Sequence, residues 1–299
     1  MRMTLESVVI MILVLVLLGF FTLLERKILG LGQIRMGPNK GVLLGLFQPL
    51  LDGFKLFMKG SKILVSGGLM NFYILPMVGL IIMLFVWVLL GLIWGSSSVS
   101  NLMIMVIMVS SLLIYCFYLS GLFSKSEYGI FGSLRASAQF LSYEGIIFLC
   151  LICVYSLMGG FSEVGEFYIW FFVIVMALLL FGVVMEVNRT PVDFVEGESE
   201  LVSGLVTEMG GLSFSCLILG EYGMMSFYSV LVGELTLGFM EKFTLSLCLM
   251  LSFMWALNWL RLSLPRSRCD LMMMVGWKLC LVVVFFMLIC SMCVISANL

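Results

Sequence analysis

Long stretches without a single charged side chain alternate with short, charge-dense ones along this chain. The charge-free stretches are 7–24, 63–124, 145–162, 167–185, 243–260 and 279–299. A helix needs about 20 residues to cross the hydrocarbon core of a bilayer, so 63–124 is too long for one crossing. It divides at Gly95-Ser96-Ser97-Ser98-Val99-Ser100-Asn101, a turn-rich break. One more apolar segment, 210–236, is interrupted only by Glu221 and Glu234. The pattern therefore predicts an all-α, polytopic integral membrane protein, a single transmembrane domain over 1–299 with about eight spans. Between the first two spans the apolar positions Leu43, Leu46, Phe47, Leu50, Leu51, Phe54 and Phe57 recur at helical spacing, with Asp52, Lys55 and Lys59 on another face. This predicts an interfacial amphipathic helix over about 43–59, kinked or delayed in its start by Pro49.

Composition agrees. Hydrophobic residues make up 63% of the chain, charged residues 11%, and mean hydropathy is +1.22. A soluble domain carries about a quarter charged residues, so this chain lacks the polar surface to cover itself in water. Net charge is −1, which gives no ground for nucleic-acid binding. With no histidine, bis-His haem, His-based metal sites and Ser–His–Asp triads are excluded. The nine cysteines are scattered. Cys150 and Cys153 form one CxxC inside an apolar span and read as packing, not as half of a zinc or iron–sulfur site. The apolar N-terminal run flows into Glu25-Arg26-Lys27 without a small-residue cleavage site, so it reads as a retained first span.

The basic residues set the orientation. Loop one (Arg26, Lys27, Arg35, Lys40, Lys55, Lys59, Lys62), loop three (Lys125, Arg135), loop five (Arg189) and loop seven (Arg261, Arg266, Arg268) together hold 13 of the 16 Lys and Arg residues. Odd loops are therefore expected in the cytoplasm or its organellar equivalent, the matrix, with both termini on the other side.

The acids carry the candidate chemistry. A charge at mid-membrane costs about 2.5–3.5 kcal/mol on insertion scales, so each needs a reason to be there. Buried carboxyls in general can take up and release protons near neutrality. Glu144 is expected to open the fourth span, either as a functional acid or as a carboxylate favoured at a helix N-terminus. Glu186 closes the fifth span, Glu208 stands at the entrance of the sixth and Glu221 lies within it, about 20 Å of helical rise further on. Glu234 and Glu241 are expected at the far interface. Acids at several depths are what a proton path requires. Loop five, about 188–209, is the densest feature, with Glu186, Asp193, Glu196, Glu198 and Glu200 flanking Arg189 within 15 residues, and Pro191 and Gly197 breaking helix. An acidic loop facing Arg26, Arg35 and Lys40 would form a polar cavity at the membrane surface.

The segments ERKILG (25–30), RMGPNK (35–40), QPLLDGFKLFMK (48–59), LRASAQFLSYE (134–144), EVNRTPVDFVEGESELVSG (186–204), EYG (221–223) and SLPRSRCD (263–270) occur in the order and spacing of a known family. Over nearly its whole length the chain resembles subunit 1 of mitochondrial NADH:ubiquinone oxidoreductase, respiratory complex I. Two places depart from that pattern: Val192, where an aromatic or a second apolar residue is expected before Asp193, and Met209-Gly210-Gly211, where an aromatic is expected after Glu208. The resemblance implies a membrane-arm subunit of a proton-pumping enzyme in the mitochondrial inner membrane, with both termini on the intermembrane-space side. It implies that ubiquinone is substrate, and that this chain binds no cofactor alone, NADH, FMN and iron–sulfur clusters belonging to other subunits. Its partners would be the peripheral quinone-module and membrane-arm subunits, ubiquinone and lipid. Glu25, Arg26, Arg35, Asp52, Arg135, Arg189, Asp193, Glu196, Glu198, Glu200, Arg266 and Arg268 would belong to the quinone chamber. Glu144, Glu186, Glu208 and Glu221 would belong to the proton path. Alternatives are the membrane subunit of an energy-converting hydrogenase, similar in fold but without quinone, a stand-alone ion transporter, whose inverted repeats the sequence does not show, or a passive anchor for soluble partners.

Overall fold

The computed structural model describes residues 2–39, 45–60, 69–95, 99–159, 166–193, 209–237 and 243–298. Among them every regular element is a helix. The order is α1 (Arg2–Gly32), α2 (Gln48–Met58), α3 (Leu69–Gly95), α4 (Val99–Ser124), α5 (Glu127–Gly159), α6 (Glu166–Glu186), α7 (Leu212–Leu237), α8 (Phe243–Ser263), α9 (Cys269–Val275), a π-helical turn (Gly276–Cys280) and α10 (Leu281–Asn298). Eight of these helices have 18 or more residues and occupy the places of the eight expected spans. Six of the described segments are both long and apolar enough to cross a membrane, in α1, α3, α4, α5, α7 and the continuous rod from α9 to α10. Trp170–Glu186 of α6 is a shorter apolar helix.

Several predicted span ends shift, for one reason. A charge does not end a helix; a backbone that cannot continue does. Glu25, Arg26 and Lys27 were expected in loop one but lie inside α1, which runs on to Gly32. Arg135 was expected in loop three, and Glu144 at the start of a span. Both lie well inside α5, which starts at Glu127. The reading of Glu144 as a helix N-terminal carboxylate is thereby overturned, since it sits seventeen residues beyond that terminus. Lys278, which immediately precedes the charge-free stretch 279–299, lies in the π-helical turn of a rod that starts at Cys269. Lys55 and Lys59 belong to α2 and its C-terminal cap, and Arg261 to the last turn of α8. Pro49 stands in the first turn of α2, where its missing N–H costs nothing, so it sets the start of the helix instead of kinking it. Leu43 of the predicted amphipathic helix lies outside the described residues. Leu50, Leu51, Phe54 and Phe57 are exposed on α2 as an apolar face.

The helices pack in chain order, α3 on α4, α4 on α5 and α5 on α6. α7 packs on α3, α8 on α7 and α1, and α10 on α5. α7 is the central rod, with 72% of its apolar window buried, against 22% for α1 and for the α9–α10 rod, which form the periphery. Close approach replaces a hydrophobic driving force between helices in lipid. Gly223 of α7 gives its space to the Met83 side chain of α3, and its carbonyl accepts a hydrogen bond from Trp87 Nε1 at 3.3 Å. Serine hydroxyls of the spans donate to carbonyls three residues back, as Ser120 and Ser142 do, so burial leaves none of these groups dry. Cys150 and Cys153 are fully buried in the apolar core.

Candidate functional site

Two of the cavities beside α7 carry the charged candidates. The larger, about 570 Å³, is an open cleft lined by α1, α2 and α7 together with Arg189 and Arg261. Its apolar wall includes Leu29, Phe214, Ile218 and Leu219. The polar end is built around Glu25, only 3% exposed on α1. Its carboxylate accepts a hydrogen bond from Tyr222 Oη at 2.5 Å and forms an ion pair with Arg261. The Arg189 guanidinium stacks over the Tyr222 ring, 4.5 Å from its centroid, a cation–π contact that also fixes where the hydroxyl points. A buried carboxylate is tolerated only when paired and hydrogen-bonded, and Glu25 is both.

The amphipathic helix forms the opposite wall. Arg26 and Asp52 pair at 2.8 Å, and Gln48 Nε2 donates to Asp52 at 2.9 Å. With both side chains over a third exposed, this pair adds little stability, but it clips α2 onto α1. At its other end α2 meets the start of α7, where Gly211 adopts φ +58°. A Cβ there would stand 2.7 Å from the Lys59 carbonyl oxygen. Glycine is required both by the backbone conformation and by the approach of the Lys59 backbone, which accounts for one departure from the family pattern.

The smaller cavity, about 20 Å³, lies on the other side of α7 and is lined by Glu186, Asn188, Glu221, Tyr228 and apolar neighbours such as Phe117 and Phe140. Tyr228 Oη donates to Glu186 Oε1 at 2.6 Å. Glu144, half-buried on α5, is close enough to act electrostatically on both Glu186 and Tyr228. The end of α6 is fixed from outside. Gln139 of α5 reaches the Met185 carbonyl at 2.5 Å and the Val192 carbonyl at 3.2 Å. Asn188 then takes the left-handed conformation (φ 51°) that commonly follows a helix end. Beyond it the Pro191 carbonyl accepts the Ser267 backbone N–H and hydroxyl, each at 2.9 Å, and Asp193 pairs with Arg266 at 3.1 Å.

Adjacent residues serve opposite cavities. Asn188 and Glu221 line the inner one, while Arg189 and Tyr222 line the outer one. Of the residues expected from sequence, Glu25, Arg26, Asp52 and Arg189 meet at the outer cavity, and Glu186 and Glu221 at the inner. Asp193 and Arg266 hold loop five beside them. Arg35, Arg135 and Arg268 line neither cavity. Glu196, Glu198, Glu200 and Glu208 lie outside the described residues, as do Lys40 and Glu241, so the facing of an acidic loop five with Arg35 and Lys40 falls outside them too. Glu234 is half-buried near the end of α7. Sequence reasoning missed Arg261 as a partner of Glu25, because 236 residues separate them. It also assigned no role to Gln139, Asn188 and Tyr222, although they stand in the quoted segments, nor to Tyr228, whose only signal was polarity amid apolar helix.

These features define a class: an all-helical, multi-pass membrane protein with a polar-ended cavity at a span boundary and paired carboxyls within its core. A family profile described as NADH dehydrogenase matches residues 5–292, and the chain belongs to that family. Similar relatives include "NADH-ubiquinone oxidoreductase chain 1" of Heterololigo bleekeri, 42% identical over 92% of this chain and 91% of the relative. The proteins of the same name from Locusta migratoria (38%, over 92% and 90%) and Lampetra fluviatilis (34%, over 91% and 89%) are similar as well.

Proposed function

We propose that the chain is the membrane subunit of a proton-pumping NADH:ubiquinone oxidoreductase, multi-pass in the mitochondrial inner membrane with both termini on the intermembrane-space side. The outer cavity is the access chamber for ubiquinone, and Glu186, Glu221 and Glu144 begin the proton path. The relatives' names supply the reaction, and the observation that carries the reading is the arrangement across α7. A cavity of about 570 Å³ falls in the usual range for small-molecule sites, about 300–1,000 Å³. It joins an apolar wall, suited to an isoprenoid tail, to a polar end suited to a quinone ring. Its Tyr222 is the immediate sequence neighbour of Glu221, which lines the acid cavity.

The chain's own residues act by position and charge. The electrons come from the other subunits of the complex, which are its partners. Reducing a quinone to a quinol takes two electrons and two protons, so electron arrival places negative charge before proton arrival removes it. The Glu25–Arg261–Tyr222–Arg189 group meets that charge in a low-dielectric setting, where its effect is strong. Tyr222 and Glu221 share one helical turn, so a shift of one shifts the other, and the proton occupancy of the inner acids follows. Glu196, Glu198, Glu200 and Glu208 of loop five would extend the same path, with Arg35, Arg135, Asp193, Arg266 and Arg268 supporting the chamber.

A photoreactive ubiquinone analogue applied to the intact complex tests the chamber. Label is expected on α1 and α7 peptides containing Leu29 or Phe214–Tyr222, displaced by excess ubiquinone. Label confined to the lipid-facing surface of α10 would contradict the assignment. A nickel-bearing partner in place of quinone binding would favour the hydrogenase reading.

A further inference from the structure

Asn188, just past the end of α6, carries a buried side-chain amide. It is 6% exposed, and among the described residues neither its Nδ2 nor its Oδ1 has a hydrogen-bond partner. The same holds for Glu186 Oε2, while Oε1 of that carboxyl is taken by Tyr228. Asn188, Glu186 and Glu221 line the same 20 Å³ cavity. Buried polar groups in native proteins are nearly always paired, with protein or with ordered water, so three unpaired atoms on one cavity identify a ligand of matching chemistry. The volume is enough for one water molecule, which needs about 10–15 Å³. The donor set decides the rest. An unpaired amide N–H₂ disfavours a cation, and two carboxyls disfavour an anion. A water, with two donors and two acceptors, suits an amide and a carboxyl at once.

We infer that one water molecule is held between Asn188 and Glu186 Oε2, and that Asn188 is thereby a positioning residue for proton transfer between Glu186 and Glu221. This rests on the proton-path reading. In the step, the Glu186 carboxyl gives its proton to the water oxygen while the water gives one of its own to the Glu221 carboxylate. The water is regenerated, and one charge moves from one carboxyl to the other. The left-handed backbone suits the task, because asparagine, aspartate and glycine adopt it readily.

The test uses the intact complex, its assembly scored by native gel, with Asn188→Gly, Asn188→Asp and Glu186→Gln. Redox-induced infrared difference spectra are recorded in ordinary and oxygen-18 water. A bound-water O–H band sensitive to oxygen-18 is expected in the wild type. It should shift in Asn188→Asp and vanish in Asn188→Gly, whose coupled turnover should fall by at least about tenfold, the low end for a positioned proton transfer. Wild-type turnover and an unmoved band in Asn188→Gly would overturn the inference. If that variant does not assemble, an unmoved band in Asn188→Asp overturns it and a shifted band supports it. If Glu186→Gln runs at the wild-type rate, the proton-path reading itself falls. If Glu186→Gln is impaired while both Asn188 variants behave as wild type, only the water falls.

Discussion

At the scale of single residues, Glu25, Glu186 and Asp193 each meet a partner from another part of the chain, Arg261, Tyr228 and Arg266 in turn. Glu25 needs Arg261. Replacing Arg261 with leucine leaves a buried carboxylate held only by Tyr222. The loss is expected to be on the order of 3 kcal/mol, the lower end for a broken buried pair because Arg261 keeps 30% exposure. Thermal inactivation of the solubilised complex checks it, and an unchanged midpoint would show that the pair contributes nothing. Tyr228→Phe keeps the ring and removes the donor to Glu186. An unsatisfied buried oxygen costs about 1–3 kcal/mol, so this variant is expected to assemble with lowered stability and slowed quinone reduction; wild-type values for both would mean that Tyr228 only packs. The charges were legible in the sequence as positions. Their pairings were not, because periodicity reports which face a side chain occupies and says nothing of what faces it across 236 residues.

At the scale of elements, the sequence marked helices well and their ends poorly. The apolar runs located all eight long helices, since in lipid a backbone must satisfy itself. Charged residues were taken as ends, yet α1 carries Glu25, Arg26 and Lys27 inside it, and α5 carries Arg135 and Glu144. Pro49 and the Gly30–Gly37 region, which do limit the backbone, were the better boundary signals. Gly211 shows the same logic between elements. Gly211→Ala combines a strained left-handed residue, about 1–2 kcal/mol, with a collision against the Lys59 carbonyl. The docking of α2 on α7 should loosen, seen as faster hydrogen exchange in Gln48–Met58 while α3–α4 peptides stay unchanged. Equal exchange in α2 would show that the contact does not hold it. Gln139→Leu should likewise raise exchange at the end of α6 and in 187–193, where the amide now fixes two carbonyls.

At the scale of the whole molecule, α7 separates a chamber of about 570 Å³ from a cavity of about 20 Å³. Asn188-Arg189 and Glu221-Tyr222 form the partition. That two-sidedness was half legible: the acids and the NRTP and EYG segments stood out, but adjacency in sequence gave no sign that neighbours would face different cavities. The central claim is that events in the outer cavity are transmitted to the inner acids. Glu186→Gln in the intact complex, reconstituted in vesicles, tests it most directly by measuring NADH-driven ubiquinone reduction together with proton uptake. The account predicts normal assembly, unchanged electron transfer to an artificial acceptor that bypasses the chamber, and coupled ubiquinone turnover lowered by at least about tenfold. Wild-type turnover with wild-type proton uptake would contradict it.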